Sequence, residues 1–293
     1  MKEKITVAVA SGKGGTGKTT VSVSLALAAA EAGCEVSYLD CDVEEPNGHL
    51  FLKPLIRRRR QVSTPAPVVD SEKCIACGAC GEICQYSAIL CINKNVLTFD
   101  RMCHGCGGCK LVCPAGAISE KGRGIGEIEE GQAGKIAFVH GRLNVGEAMS
   151  PPLIKAVRSA GQKSMLSIVD VSPGASCPVI AAVRGSDYVL LVTEPTPFGL
   201  NDLEIAVDML KELGIPYAVV VNKADCEYTM ARDFCRSKGI HILSEIPDDR
   251  RVAEAYSRGE LAYLTVPGYR ERFTDLLDSV MKEVRKSEGI GCY

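Results

Sequence analysis

Short apolar runs rich in valine, isoleucine and leucine alternate along most of this chain with longer amphipathic stretches. The first run, Ile5–Ala10, is apolar at every position but Thr6 and leads into a glycine-rich loop. Runs at 36–39, 136–139, 167–170, 188–192, 217–221 and 241–246 have the length and β-branched content of strands buried on both faces. Between or after them, apolar positions recur at helical spacing in 19–32, 153–160, 200–213, 229–238, 250–258 and 270–285. The alanine-rich helix 19–32 is stopped by Gly33. The last helix aligns Phe273, Leu276, Leu277, Val280, Met281 and Val284 on one stripe. Its mixed charges predict packing onto its own domain, with no stable membrane anchor. The whole pattern predicts an α/β fold with a doubly wound, mostly parallel sheet whose ligand sits at the carboxyl ends of the strands.

That alternation breaks off between about 67 and 119. The expected organisation is a discontinuous sheet domain, 1–66 and 120–293, with a small α+β domain inserted at 67–119. Inside the insert, 88–92 and 96–99 read as a hairpin turning at 93–95. So short a segment buries little core of its own, so something else must hold it together.

Cysteine supplies that core. Eight of the fifteen cysteines form two runs, Cys74-x2-Cys77-x2-Cys80-x3-Cys84 and Cys103-x2-Cys106-x2-Cys109-x3-Cys113-Pro114. A cubane cluster needs four thiolates from different directions, and one short loop supplies three. In two-cluster ferredoxins the fourth comes from the other run. The expected ligand sets are therefore Cys74, Cys77, Cys80 and Cys113 for one [4Fe-4S] cluster, and Cys103, Cys106, Cys109 and Cys84 for the other. Zinc knuckles seldom repeat this spacing twice. A disulfide framework is disfavoured because no signal peptide opens the chain and so many thiols imply a reducing, cytoplasmic setting. Each half carries a strand beside its loop, consistent with a bacterial-type ferredoxin. Gln85 follows Cys84 where Pro114 follows Cys113, so the two clusters should differ in potential. His104, inside the second loop, is expected to be exposed or to stand behind the ligands.

The formal charge is −2 and hydrophobic content 46%, with no apolar run of membrane-spanning length. This balance does not suggest a nucleic-acid partner. Arg57-Arg58-Arg59-Arg60 is the one basic run. It reads as a solvated linker face or, more sharply, as a dock for an acidic redox partner.

Gly12-x4-Gly17-Lys18-Thr19 follows a strand and opens a helix, the setting a phosphate-binding loop requires. Glycines let backbone N–H groups close on phosphate at the positive end of the helix. Lys18 is expected on the β- and γ-phosphates, Thr19 on Mg²⁺, and Thr20 on the α-phosphate.

With the additional Lys13, the loop Lys13-Gly14-Gly15-Thr16-Gly17-Lys18-Thr19 resembles the deviant Walker A motif of the MinD/ParA class. Asp40-Cys41-Asp42 resembles that class's switch I, and Asp170-Val-Ser-Pro-Gly174 its switch II. With Asn222-Lys-Ala-Asp225 and Ile246-Pro247-Asp248, the resemblance covers the ATPase portion. Including the cysteine insert, the chain is similar to MinD-superfamily ATPases carrying a ferredoxin domain, relatives of the nitrogenase iron protein and Mrp-type carriers. The resemblance implies an ATPase complete only as a dimer, of two copies or with a related ATPase. Lys13 would reach the partner subunit's nucleotide, Asp42 would orient the attacking water, and Asp40 and Asp170 would support Mg²⁺ through its waters. Asn222 and the backbone near Pro247 would contact adenine, while Asp225 keeps guanine open. Cys177 lies as far beyond switch II's aspartate as a cysteine that ligates a shared cluster in the nitrogenase iron protein; a buried thiol packing behind the switch is the expectation here. The function implied is nucleotide-gated electron transfer to a partner protein, with cluster or metal delivery, or redox sensing, as alternatives.

Overall fold

A computed structural model describes residues 4–161, 164–224 and 229–287, and the chain divides into two compact units. One comprises Met1–Arg59, Ile128–Arg142 and Ile154–Tyr293; the other comprises Arg60–Glu127 and Leu143–Leu153. The chain runs through β1 (Ile5–Ala10), α1 (Lys18–Glu31), β2 (Val36–Asp40), α2 (Gly48–Leu52) and β3 (Leu55–Val69). It continues with α3 (Ala79–Ile83), β4 (Ile89–Ile92), β5 (Asn95–Thr98), α4 (Gly108–Leu111), β6 (Ile118–Ala133) and β7 (Ile136–Leu143). Then come α5 (Pro151–Ala160), β8 (Leu166–Asp170), α6 (Cys177–Val183), β9 (Tyr188–Thr193), α7 (Pro197–Leu213) and β10 (Tyr217–Ala224). α8 (Met230–Ser237), β11 (Ile242–Pro247), α9 (Arg250–Ser257), α10 (Ala262–Thr265) and α11 (Tyr269–Ser287) complete it.

The strands stand in the order β11-β10-β9-β1-β8-β2-β7-β6-β3, and neighbours from β11 to β7 pair in parallel. β2, β8 and β9 are buried at every residue, which is why their sequences show no alternation. Helices close both faces. α7 starts with Thr196 accepting the Gly199 N–H, followed by Pro197, and stops at Gly214 with φ 65°. α11 buries Phe273, Leu276, Leu277, Val280 and Val284 in the same core as Val21, Leu25 and Ala29 of α1, as its stripe predicts. No helix among the described residues is long and apolar enough to cross a membrane.

The segment expected as a linker is instead strand. Arg57–Arg60 lie inside β3, exposed at the sheet edge, and β3 and β6 carry the second unit's boundaries beyond 67 and 119. Charged side chains on an edge strand block pairing with other chains, so such a strand lacks the apolar signal that marks inner ones.

Candidate nucleotide and cluster sites

β1 delivers the loop and α1 begins at Lys18. Gly17 caps the helix at φ 89°, and a methyl there would lie 2.2 Å from Asn222 Nδ2. A methyl on Gly12 would meet the Asp202 carbonyl oxygen at 2.2 Å, whereas Gly14 has no neighbour within 4 Å of that position. Gly15 takes φ 81°. The loop therefore needs glycine at 12, 15 and 17 for its own shape, and Gly14 leaves space for an approaching ligand. Asn222 Nδ2 donates to the Thr16 carbonyl at 2.7 Å, while the buried Thr16 Oγ1 has no partner among the described residues.

The loop, Asp42, Asn222 and Ile246-Pro247 line a cavity of 430 Å³, and Val252, Ala253, Tyr269 and Phe273 add apolar lining. Lys13, Lys18, Thr19 and Thr20 line it as well. Asp225 lies outside the described residues.

Register pairs Asp40 on β2 directly with Asp170 on β8, and both are buried. Lys18 Nζ lies 2.6 Å from Asp170 Oδ1 and 3.8 Å from Asp42 Oδ2. Tyr38 donates its hydroxyl to Asp170 Oδ2 at 2.8 Å. Asp40 accepts the N–H groups of Gly48 at 2.9 Å and Asp42 at 3.2 Å. Ser172 Oγ donates to Asp42 Oδ1 at 3.2 Å. Burial works against the Lys18 charge, but Asp170, Asp42 and Asp40 outweigh it and raise the lysine above its ordinary value. Burial and the neighbouring Asp170 push Asp40 well above the carboxylate range, and burial raises Asp42. Burial likewise keeps Tyr38 a neutral donor. Three carboxylates crowded around one ammonium, beside the Thr19 end of the loop, suit a hydrated Mg²⁺ accompanying phosphate. Lys13 pairs with Glu194 of its own chain.

In the second unit, the cysteine loops repeat with an offset of 29 positions, from Cys74 to Cys103. Positive φ recurs at Ala76 and Gly105, at Gly78 and Gly107, and at Ser87 and Gly116. Cys84 Sγ accepts the Ala88 N–H at 3.3 Å and Cys113 Sγ the Ala117 N–H at 3.3 Å. The Phe99 N–H bonds the Ala88 carbonyl and the Asp70 N–H the Ala117 carbonyl, each at 2.8 Å. Cys74, Cys77, Cys80 and Cys113 line one cavity; Cys84, Cys103, Cys106 and Cys109 line another. Burial raises the free thiols of Cys80 and Cys109 and so disfavours their thiolates.

No group of three or more His, Cys, Asp and Glu side chains among the described residues gathers tightly enough for a single ion. Four thiols lining each cavity are the donor set a cubane cluster would take, one thiolate to each iron. His104 is exposed and its ring stacks on Tyr86, with centroids 3.4 Å apart.

Cys177 is exposed, not buried behind the switch as expected. It is the first residue of α6, whose buried face is Val179, Ala182 and Val183. Cys41 is the buried switch thiol.

Residues 7–262 match the family model described as the CobQ/CobB/MinD/ParA nucleotide binding domain. The chain belongs to this family. It is a P-loop ATPase. An uncharacterised protein of Methanocaldococcus jannaschii is 30% identical over 252 residues, 82% of this chain and 86% of that protein. An iron–sulfur cluster carrier protein of Pyrococcus horikoshii is 26% identical over 141 residues, 42% of this chain and 48% of that one. Among solved structures, the septum site-determining protein MinD complexed with Mg-ADP from Pyrococcus horikoshii superposes with a TM-score of 0.62 at 19% identity, covering 97% of this chain and 98% of that one. At that identity the likeness concerns the fold.

Sequence reasoning on this family member missed Tyr38 and Glu194, and placed Ser172 within switch II without a role. Tyr38 had a signal: two residues before Asp40 on a strand, it shares that aspartate's face. Glu194 had a weaker one, its place just beyond the carboxyl end of β9.

Proposed function

We propose that this protein is a nucleotide-dependent iron–sulfur protein in which ATP binding and hydrolysis in a dimer are coupled to electron transfer to a partner protein. The observation that carries this reading is the pair of four-cysteine cavities with crossed membership in a chain that also holds a phosphate loop. The proposed inserted ferredoxin domain centres on 67–119. Bound clusters supply one-electron storage and transfer.

The chain's own residues do the rest. Lys18 leaves Asp170 for the β- and γ-phosphates; Thr19, with Asp170 and Asp40 through water, would hold Mg²⁺, which would neutralise phosphate charge. Asp42, raised in basicity by burial, orients the attacking water. Thr20 and the loop N–H groups take the remaining phosphate oxygens. Adenine sits by Asn222 and Pro247 against the apolar lining, with Asp225 as the guanine alternative. Lys13 serves a phosphate across the dimer. In the chain, residues 43–59 join the switch I aspartates to the cysteine-bearing unit, the covalent route by which nucleotide state would be felt.

The test is stopped-flow oxidation of the dithionite-reduced protein by a one-electron acceptor, without nucleotide and with ADP, ATP or GTP. Rates should differ with nucleotide, and more for ATP than GTP; equal rates in every arm sink the reading. The match to a cluster carrier protein favours a second reading, cluster delivery. It is distinguished by loss of iron from this chain to an apo-acceptor during ATP turnover.

A further inference from the structure

Glu194 gathers two lysines, Lys13 of the phosphate loop and Lys223 beside it. Lys13 pairs with its Oε1, and Lys223 Nζ stands 3.2 Å from its Oε2 while also donating to the Gly15 carbonyl at 3.0 Å. The carboxylate is only 13% exposed. Its backbone is fixed on both sides: the Thr196 N–H bonds the Glu194 carbonyl at 2.8 Å, and Gly199 packs so closely that a methyl there would lie 2.5 Å from that carbonyl. Lys223 holds φ 52°, a left-handed conformation costly for any residue but glycine, so its aim at the loop is built into the backbone. Burial works to raise the Glu194 carboxyl, but its two lysines outweigh it and hold it below the ordinary range.

A carboxylate in this place competes with phosphate. Any phosphate that recruits Lys13, in its own subunit or in a second one, must first break the pair with Glu194. A nucleotide whose phosphates never touch Lys13 leaves that pair intact. We propose that Glu194 sets the preference between triphosphate and diphosphate, withholding Lys13 so that the terminal phosphate must displace it. The inference rests on the reading of Lys13 as a terminal-phosphate ligand.

The experiment is calorimetric titration of the full chain, in Mg²⁺ and at one protein concentration, with ATPγS and with ADP. Four forms are compared: unaltered, Glu194→Gln, Lys13→Ala and the double variant. Glu194→Gln should raise the ATPγS-to-ADP affinity ratio about three- to tenfold, the span of one partly exposed ion pair. In the Lys13→Ala background the same substitution should leave the ratio unchanged. Glu194→Asp, which keeps the charge on a shorter arm, should fall between and guards against a variant that fails to fold. An unchanged or lowered ratio overturns the proposal. So does an equal rise without Lys13, which would make Glu194 a general repulsive charge. If Lys13→Ala alone leaves ATPγS affinity untouched, the reading of Lys13 fails first and takes the inference with it.

Discussion

Within the phosphate loop the four glycines do different work, and substitution separates them. Gly12→Ala drives a methyl into the Asp202 carbonyl, a backbone atom of α7 that cannot swing aside. Relief requires moving the loop or the helix, which costs about 1–3 kcal/mol and displaces the N–H groups that meet phosphate. Thermal melting should fall and ATP binding should be lost, whereas Gly14→Ala, with open space around it, should melt like the unaltered chain. His140 gives a second expectation. It is buried on β7, with Nε2 2.6 Å from Glu129 Oε2, and Arg59 Nε stands 2.8 Å from the other oxygen of that carboxylate. Burial disfavours the imidazolium and outweighs Glu129, so the folded-state pKa lies below the ordinary value of 6.5. The unfolded chain then binds the proton more readily, and stability should decline as pH falls through about 6.5, until the folded-state value is passed. Denaturant midpoints measured from pH 8 to pH 5 should show that slope, and His140→Gln should reduce it.

Among the elements, legibility followed how many physical constraints each one met. The inner strands and α11 were readable because burial leaves continuous or periodic apolar patterns in β2, β8, β9 and the Phe273–Val284 stripe. The loop from Gly12 to Thr19 was readable because strand, glycines and helix must follow in that order. β3 was not, since four arginines on an edge strand carry no alternation, and the first part of β6 is exposed and holds glycines. α6 was missed because seven residues give too little period, and exposed Cys177 sits at its start. Tyr38 was legible from its place two residues before Asp40 on a strand, whereas Glu194 joins the site through a tertiary contact that spacing encodes only weakly. The cysteine loops allow a sharper test. Cys113 lines the cavity of Cys74, Cys77 and Cys80, and Cys84 lines the other. Cys113→Ser should therefore abolish the same electron paramagnetic resonance signal as Cys80→Ser, and Cys84→Ser the same one as Cys109→Ser. Each variant should retain about four of about eight irons. If Cys113→Ser instead matches Cys109→Ser, the ligands are not crossed.

At the scale of the molecule, the two units have unequal means of staying folded. The first buries both faces of a parallel sheet, with Tyr38, Phe138, Leu25, Leu190 and Phe273 among its core residues. In the second, an apolar cluster is built on buried Cys80, Ile89 and Ile118, and one of those is a proposed cluster ligand. Around them stand Cys84, Cys109 and Cys113, so much of what lines this cluster is sulfur. A unit this small seldom sustains a fold without a metal or a covalent staple, and thiols raised by burial gain little by meeting one another without iron. Removing iron with a chelator under reducing conditions should therefore unfold the second unit while the first persists. Limited proteolysis of the iron-free chain should cut within 60–127, and calorimetry should still detect ATP binding, because the loop, Asp42 and Asp170 depend on packing within the first unit. Nucleotide should then no longer alter any redox rate. An iron-free chain as protease-resistant as the loaded one would show that the cysteines do not organise this unit, and the crossed cavities would lose their claim to be cluster sites.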